Sequence, residues 1–378
     1  MTRDPAAELR DLAGEGLLRT LRPLASPTGP KVVRDGRELY NFASNDYLGL
    51  AHDPELAEAF IEGIRLYGAG SAAARLVCGT LPPHAALEET LAAAKGTEAA
   101  LTFSSGFATP VGCLPAIAGK DDTLVLDKLC HASLIDGARL SGATIRVFPH
   151  NDTEKLGRLL ASIREKDATG RIVIVTESVF SMDGDLCPLR EMVELAEAYD
   201  ALLWLDEAHG FGVLGPNGMG LAEALGLQER VTFQMGTFSK AAGLSGGYLA
   251  ASRTWIDFLT NRARAFIYST APPPALAHAT IASIGKIRSN DGTSRRQRLF
   301  ENVALLSPDH GSAIVPMVLG SNDTALTTSK RLEEQGYLVP AIRFPTVPRG
   351  TARLRVSLSA AHDPAAVRAL IHALGERT

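Results

Sequence analysis

Lys240 stands in Thr237-Phe238-Ser239-Lys240-Ala241-Ala242-Gly243, just past a run that reads as a strand, among small residues and with no carboxylate as a sequence neighbour. A lysine that is to form an imine must shed its proton near neutral pH, and burial favours this by disfavouring the charged form. The same string also suits a loop lysine that reaches solvent, so the neighbours have to decide. Asp206 closes the apolar run Ala201-Leu202-Leu203-Trp204-Leu205. A carboxylate there is costly unless it meets a cation. The protonated ring nitrogen of pyridoxal phosphate is such a cation, and an acidic partner keeps the ring able to take up electrons. His209, three residues further on, is placed to contact the phenolic oxygen of that ring. An amine and a carboxylate at two strand ends point to carbanion chemistry on an amino acid.

Three further groups of residues are candidates for the same site. Ser104-Ser105-Gly106-Phe107-Ala108-Thr109 joins a strand to an apolar helix. Small residues with free N–H groups at a helix start bind a phosphate, although the string also fits a plain turn with serine caps. Thr237 and the Tyr268-Ser269-Thr270 cluster offer hydroxyls to that phosphate. His131, in Lys128-Leu129-Cys130-His131-Ala132-Ser133, has a flat imidazole that would stack on a cofactor ring or move protons; such a histidine also serves as a cap. Arg343 and Arg355 flank the Pro345-Thr346-Val347-Pro348 loop. An arginine over the site would clamp a substrate carboxylate through two bonds, although in an arginine-rich chain either one also reads as a solvated charge. Two look-alikes drop out. Asp206-Glu207-Ala208-His209 spells the name of a helicase class, but no upstream Gly-Lys pair belongs to a phosphate-binding loop. Gly68-Ala69-Gly70 follows a helix, not the strand that a dinucleotide fingerprint requires.

Bringing these residues together calls for a wound sheet. Short apolar runs recur at Ala99–Phe103, Thr123–Leu126, Thr144–Phe148, Ile172–Thr176, Ala201–Leu205, Val231–Met235 and Gly247–Ala251, most of them separated by helical segments. Unbroken apolar strands are covered on both faces, so the spacing predicts a mainly parallel sheet. In such a sheet ligands collect beyond the carboxyl ends of the strands, where the Ser104, Glu177, Asp206 and Thr237 loops converge. Leu9, Leu12, Leu17, Leu18 and Leu21 predict an amphipathic N-terminal helix. Past Ala271-Pro272-Pro273-Pro274, a helix and the polar, Arg-rich Ser289–Arg298 stretch lead into a smaller region. It is expected to hold strands near Ile314–Leu319 and Arg353–Ser357 and helices near 323–335 and Pro364–Leu374.

Composition is that of an ordinary globular chain: 378 residues, 46% hydrophobic and 21% charged. A net charge of -4 gives no electrostatic reason to expect nucleic acid or an anionic membrane as partner. No long apolar run and no leader-like opening are present, so a cytoplasmic location is expected. Four scattered cysteines without a C-x-x-C pair argue against disulfides and zinc, and no metal is expected.

The motifs Asn41-Phe42-Ala43-Ser44-Asn45-Asp46-Tyr47-Leu48-Gly49-Leu50, His131-Ala132-Ser133-Leu134, Thr176-Glu177-Ser178-Val179-Phe180-Ser181-Met182-Asp183-Gly184, Asp206-Glu207-Ala208-His209-Gly210, Thr237-Phe238-Ser239-Lys240 and Ile267-Tyr268-Ser269-Thr270 together resemble the α-oxoamine synthases. This is a branch of the fold-type I pyridoxal phosphate enzymes, and the resemblance runs from about residue 17 to 375. It implies an α/β, aminotransferase-like fold: a mainly parallel seven-stranded sheet with helices on both faces, plus a smaller C-terminal α/β domain. The implied divisions are an N-terminal helix and arm (1–45), a large cofactor-binding domain (46–285) and a small domain (286–378).

The resemblance implies that Lys240 binds pyridoxal 5'-phosphate covalently and moves the Cα proton. Asp206 would pair with the ring nitrogen, His209 and Ser181 with the phenolic oxygen or its surroundings, and His131 would stack on the ring. Gly106, Phe107 and Thr237 would hold the cofactor, with Ser269 and Thr270 reaching the phosphate of the neighbouring subunit in a homodimer. Asn45, Thr346, Arg343 and Arg355 would face substrate, together with an N-terminal arginine that is either Arg19 or Arg22. The tail from Ala341 to Arg355 is most like the branch that condenses L-alanine with a pimeloyl thioester, on coenzyme A or a carrier protein, in biotin synthesis. Sister branches use glycine or serine with another acyl-CoA. One departure is Ala72-Ala73-Ala74, where the family has a loop richer in glycine and serine; its added methyl groups would narrow the acyl entry. A second is a shorter stretch around 300–312. A non-catalytic ligand sensor would need an attached DNA-binding module, for which the matched span leaves no room.

Overall fold

The computed structural model describes residues 4–375; the outermost residues of the first and last expected divisions, 1–3 and 376–378, lie outside it. The chain forms a hairpin of β1 (Lys31–Arg34) and β2 (Arg37–Asn41). Its turn, Asp35-Gly36, takes φ of 51° and 73°, the conformation that a two-residue turn between twisted strands requires. The main sheet is built from β3 (Ala99–Phe103), β4 (Thr123–Asp127), β5 (Thr144–Phe148), β6 (Ile172–Glu177), β7 (Leu202–Asp206), β8 (Phe233–Thr237) and β9 (Gly247–Ala251). Its spatial order is β3-β9-β8-β7-β6-β4-β5. Neighbours from β8 to β5 are parallel, and β9 runs antiparallel to both β8 and β3.

Alternate residues of the inner strands feed two cores. Val173, Val175, Trp204 and Phe233 pack with Leu114 and Leu259 on one face. Ile172, Ile174, Leu203 and Leu205 pack with Leu160 and Met192 on the other. Cover on both faces is why these strands read as unbroken apolar runs. The outer strand β5 buries only Phe148.

The remaining strands are β10 (Ile314–Gly320), β11 (Tyr337–Leu338), β12 (Ala341–Ile342) and β13 (Ala352–Ser357). β13 lies between β10 and β12, whereas β11 pairs with β2, so the N-terminal arm and the C-terminal region share a sheet. The fold class read from the sequence is the fold observed.

Two expected elements differ. The N-terminal helix spans only Pro5–Gly14 and buries no side chain; Gly16, at φ 66°, turns the chain away before Leu17. Leu17, Leu18 and Leu21 are not helical, and Leu21 is 99% exposed. The polar stretch Ser289–Arg298 is not a connector but the start of a 17-residue helix, Asn290–Leu306. Its arginines are used inside the protein. Arg296 is buried with Nη1 on Ile287 O at 2.7 Å, and Arg295 reaches Asp53 at 2.9 Å, so polarity here marks buried hydrogen bonding instead of exposure. No helix among the described residues is long and apolar enough to cross a membrane.

Candidate active site

β3, β6, β7 and β8 end on one edge of the sheet, and their last residues and following turns supply the site. Asp206, the final residue of β7, is buried and accepts Ala208 N at 2.8 Å. Glu177, the final residue of β6, lies opposite it in register and accepts from His131 N. Burial pushes the Glu177 carboxyl well above the usual range, and the charge of Asp206 adds to this. Burial also pushes Asp206 up to about 6, against the pull of Lys240. Burial brings Lys240, in the turn after β8, down to about 8, although Asp206 and Glu177 oppose the shift.

From Lys240 a chain of hydrogen bonds runs across the pocket. Its Nζ lies 2.7 Å from His209 Nε2, His209 Nδ1 is 2.6 Å from the Tyr47 hydroxyl, and that hydroxyl is 3.1 Å from Asn45 Oδ1. Arg355 Nη1 also donates to Asn45 Oδ1, at 3.1 Å. Directions follow from the one group that can only donate. Because Arg355 makes Asn45 Oδ1 an acceptor, the tyrosine hydroxyl donates to it and its oxygen accepts from His209 Nδ1–H. His209 Nε2 is then an acceptor for Lys240. This arrangement needs a neutral imidazole, and burial together with the charges of Lys240 and Arg355 holds His209 well below its usual pKa.

The expected cradle forms around a close approach. A Cβ on Gly247 would sit 2.6 Å from Ser105 O, so that position needs glycine for want of space, and one on Gly106 would sit 3.0 Å from Thr237 Cβ, a tight contact to which the neighbour would have to yield. Thr237 Oγ1 is 2.7 Å from Gly246 O and 2.8 Å from Ser239 Oγ. Phe107 is 49% exposed and meets His131 edge-on at 6.5 Å. His131 caps the helix Ala132–Ser141, its Nδ1 accepting Ser133 N at 3.2 Å, which leaves the ring proton on Nε2. The capping and site readings of His131 are compatible, since burial and the charge of Lys240 both lower its pKa.

The chain matches the model for aminotransferase class I and II over residues 37–374. The chain belongs to the class I and II aminotransferase family. It is 48% identical over 373 residues to an 8-amino-7-oxononanoate synthase of Geobacter sulfurreducens, covering 96% of this chain and 95% of that protein. Among solved structures it is similar to a serine palmitoyltransferase variant from S. paucimobilis with bound PLP–myriocin aldimine, with a TM-score of 0.91, 30% identity and coverage of 98% and 97%. It is also similar to the crystal structure of an 8-amino-7-oxononanoate synthase from Francisella tularensis, with a TM-score of 0.75, 27% identity and coverage of 89% and 96%. The resemblance to the α-oxoamine synthase branch is thereby established.

The structure brings some expected residues into this family pocket and sends others elsewhere. Lys240, His209, Asn45 and Arg355 share the network above, and Asp206 acts on Lys240 through its charge. Ser181 enters it through its backbone, its carbonyl accepting Arg355 Nε at 2.6 Å. Arg343, Thr346 and Arg19 line a separate cleft of about 260 Å³ with Leu17 and Phe344. Arg22 is held by Asp35 at 2.6 Å and Glu333 at 2.9 Å, an ion-pair cluster that fastens the arm to the helix Asn322–Glu334. Ser269 and Thr270 do not join Lys240 in this chain. Thr270 bridges Ala74, and Ala271 N donates to Ala73 O at 2.9 Å, so this segment packs on the alanine-rich loop and Thr270 faces outward. One contributor was not singled out from the sequence, Tyr47, and Glu177 was read only as a strand-end loop with no role of its own. A fully buried tyrosine hydroxyl needs a partner, and the Asn-Asp-Tyr string was the available signal.

Proposed function

We propose that this chain is a pyridoxal phosphate-dependent acyltransferase. It would condense L-alanine with a pimeloyl thioester to give 8-amino-7-oxononanoate, CO2 and free thiol, the biotin-synthesis activity named for its relative of 48% identity. The observation that carries this reading is the part-buried Lys240 amine on a neutral His209, with the Asp206 carboxylate lying in the same pocket. The donor set fits the cofactor in three respects. Asp206 is a buried carboxylate at the end of β7, raised by burial, which a ring cation would stabilise. Lys240 is an amine ready to lose its proton near pH 8. Gly106 and Gly247 bring backbone close together where bulk would obstruct a phosphate.

Lys240 would hold the cofactor's carbonyl carbon, Asp206 its ring nitrogen and His209 its phenolic oxygen. His131 would cover its ring face, and Ser105, Gly106, Phe107 and Thr237 its phosphate end. When bound, pyridoxal phosphate supplies a ring that takes up the electron pair left on the amino acid's α-carbon. Arg355 would bind the alanine carboxylate and fix the direction of the Cα–H bond. Lys240, released as a free amine, would take that proton and later return it. His209 would steer the amine through Nε2, its own orientation set by Tyr47 and Asn45. The 48% identity to an 8-amino-7-oxononanoate synthase, against 30% to a serine palmitoyltransferase, favours alanine. A panel of pimeloyl, acetyl, succinyl and palmitoyl thioesters against alanine, glycine and serine tests this. We expect the highest kcat/KM for pimeloyl with alanine, with related chain lengths losing on the order of tenfold per methylene or two. Preference for glycine with a short acyl group would overturn the substrate assignment and leave the cofactor assignment standing.

Arg19, which shares its cleft with Arg343 and Thr346, would serve as the cation for the far carboxylate of the acyl chain. Arg19→Ala should raise KM for pimeloyl thioester by roughly tenfold with kcat little changed, as loss of uniform binding does. Arg22→Ala should leave KM alone, because its ion pairs are largely exposed and worth about 0–1 kcal/mol. Equal KM effects from the two variants would remove the distinction.

The working unit would be a cytoplasmic homodimer, with Ser269 and Thr270 of one chain completing the phosphate site of the other. The outward placement of Thr270 supports this reading. Mixing inactive Lys240→Ala and Thr270→Ala chains should restore part of the activity, since one of the two sites in a mixed dimer would then be intact. Full activity in a sedimenting monomer would refute the shared site.

A further inference from the structure

We propose that His150 is a positioning residue, a doubly protonated imidazolium that fastens the turn carrying His131 to the loop carrying Ser181 and so sets the height of Arg355 over the pocket. The proposal rests on the functional reading above only in naming what is positioned. Outside the network of Lys240, His150 has both ring nitrogens on carboxylates. His150 Nδ1 lies 3.0 Å from Asp127 Oδ1 and Nε2 lies 2.7 Å from Asp185 Oδ2. A carboxylate oxygen accepts, so both ring nitrogens must donate, and only the cation has two N–H groups. The two aspartates are the charged groups facing it, and together they raise its pKa against the opposing effect of burial. Phe180 closes the remaining side, its ring edge-on at 4.4 Å.

Each aspartate governs a different active-site segment. Asp127 ends β4 with its side chain fully buried, and its carboxylate also accepts Leu129 N and Asn151 N at 2.8 Å each. It therefore orders the short turn that delivers His131. Asp185 lies on the loop that doubles back through the Val179–Leu186 bridge, with Phe180 N on Asp185 O at 3.0 Å. That loop presents Ser181 O to Arg355 and the Asp183 carboxylate to Arg353, two residues before Arg355 on β13. Asn151, at φ 55°, reinforces the clasp through Nδ2 on Asp185 Oδ2 at 2.9 Å and on Leu186 O at 3.1 Å. A glutamine in place of His150 brings no charge and one donor group, so it satisfies one aspartate and leaves the other unbalanced.

The test has a readout that does not depend on turnover. Imidazole 15N–1H spectra of the cofactor-free protein should hold two His150 ring N–H signals at pH 8, both absent from His150→Gln. Per cofactor-loaded site, His150→Gln should lower kcat/KM for the amino acid by up to about 10²-fold, as misplacement by an ångström can. The loss should lie mainly in the amino acid and not in the thioester, and the visible band of the bound cofactor should shift. Adding Asp185→Asn to His150→Gln should recover a good part of the loss, because it removes the unbalanced charge. Should His150→Gln not fold, Asp185→Asn alone must lose the Nε2–H signal and show the same amino-acid-specific fall. A purely structural histidine would lower the melting temperature and leave kcat/KM per loaded site within twofold; that result, or a single ring N–H at pH 8, would overturn the proposal. If instead the substrate assignment is wrong, the two signals persist and the fall appears with whichever amino acid is used.

Discussion

Lys240→Ala is expected to lower kcat by about 10⁴-fold or more, because in the proposed function one side chain would supply both the covalent attachment and the proton transfer. The fold should survive, since the side chain makes a single hydrogen bond, to His209, and the surrounding turn is held by Thr237, Ser239 and Gly246. Borohydride treatment of the parent protein should fix the cofactor to Lys240, and the variant should release it on denaturation. Lys95 is a built-in control. It is more deeply buried than Lys240 and its pKa is also lowered by burial, yet its amine is spent on Met219 O and lies outside the pocket. If peptide mapping of the reduced parent finds the label on Lys95 or any lysine other than Lys240, the site is wrongly assigned.

The strands of the main sheet could be read from the sequence because each is a short apolar run between helical segments, and two-sided burial leaves little else possible. Their carboxyl-end loops followed directly, and with them Lys240, Asp206, His131 and Gly106. What could not be read was where polar residues turn inward. The buried Arg296 concealed the start of a long helix, because its hydrogen bonds go to Ile287 O and Pro216 O, residues not adjacent to it in sequence. Arg19 and Arg22 carry the same group at almost the same distance along the chain. Their surroundings in the fold separate them: Arg22 meets Asp35 and the distant Glu333, and Arg19 lines the cleft of Arg343 and Thr346. Tyr47 was harder to read for a related reason. Its role comes from a hydrogen bond to His209 across the fold, of which the Asn-Asp-Tyr string gave only a hint, whereas Glu177 was legible as a strand-end residue but not as the register partner of Asp206.

Asp206→Asn should act in opposite directions on activity and on stability, and that crossing is its test. Asparagine keeps the shape and can still accept Ala208 N through its carbonyl, so the turn after β7 should persist. What disappears is the negative charge that would face the ring nitrogen, and loss of a preorganised electrostatic partner costs about 10²–10³-fold in kcat. For the cofactor-free protein the sign is reversed. The folded-state pKa of Asp206 is raised to about 6 from a usual value of 3.8, so the folded chain binds its proton more tightly than the unfolded chain. Stability contributed by this group therefore falls as pH rises from about 4 to 6, and above 6 the full cost of burying the charge is present. Asparagine never takes on that charge. The cofactor-free variant should match the parent near pH 4 and exceed it in melting temperature from pH 6 upward. Lys240, deprived of the charge that raises its pKa, should titrate below 8 in the variant, measurable by competition labelling. Loading with pyridoxal phosphate should erase or invert the stability difference, because the cofactor's ring nitrogen supplies the cation that the parent carboxylate lacks. An Asn variant less stable than the parent at pH 7 without cofactor would mean that Asp206 is already balanced within the protein, and its assignment to the ring nitrogen would fail.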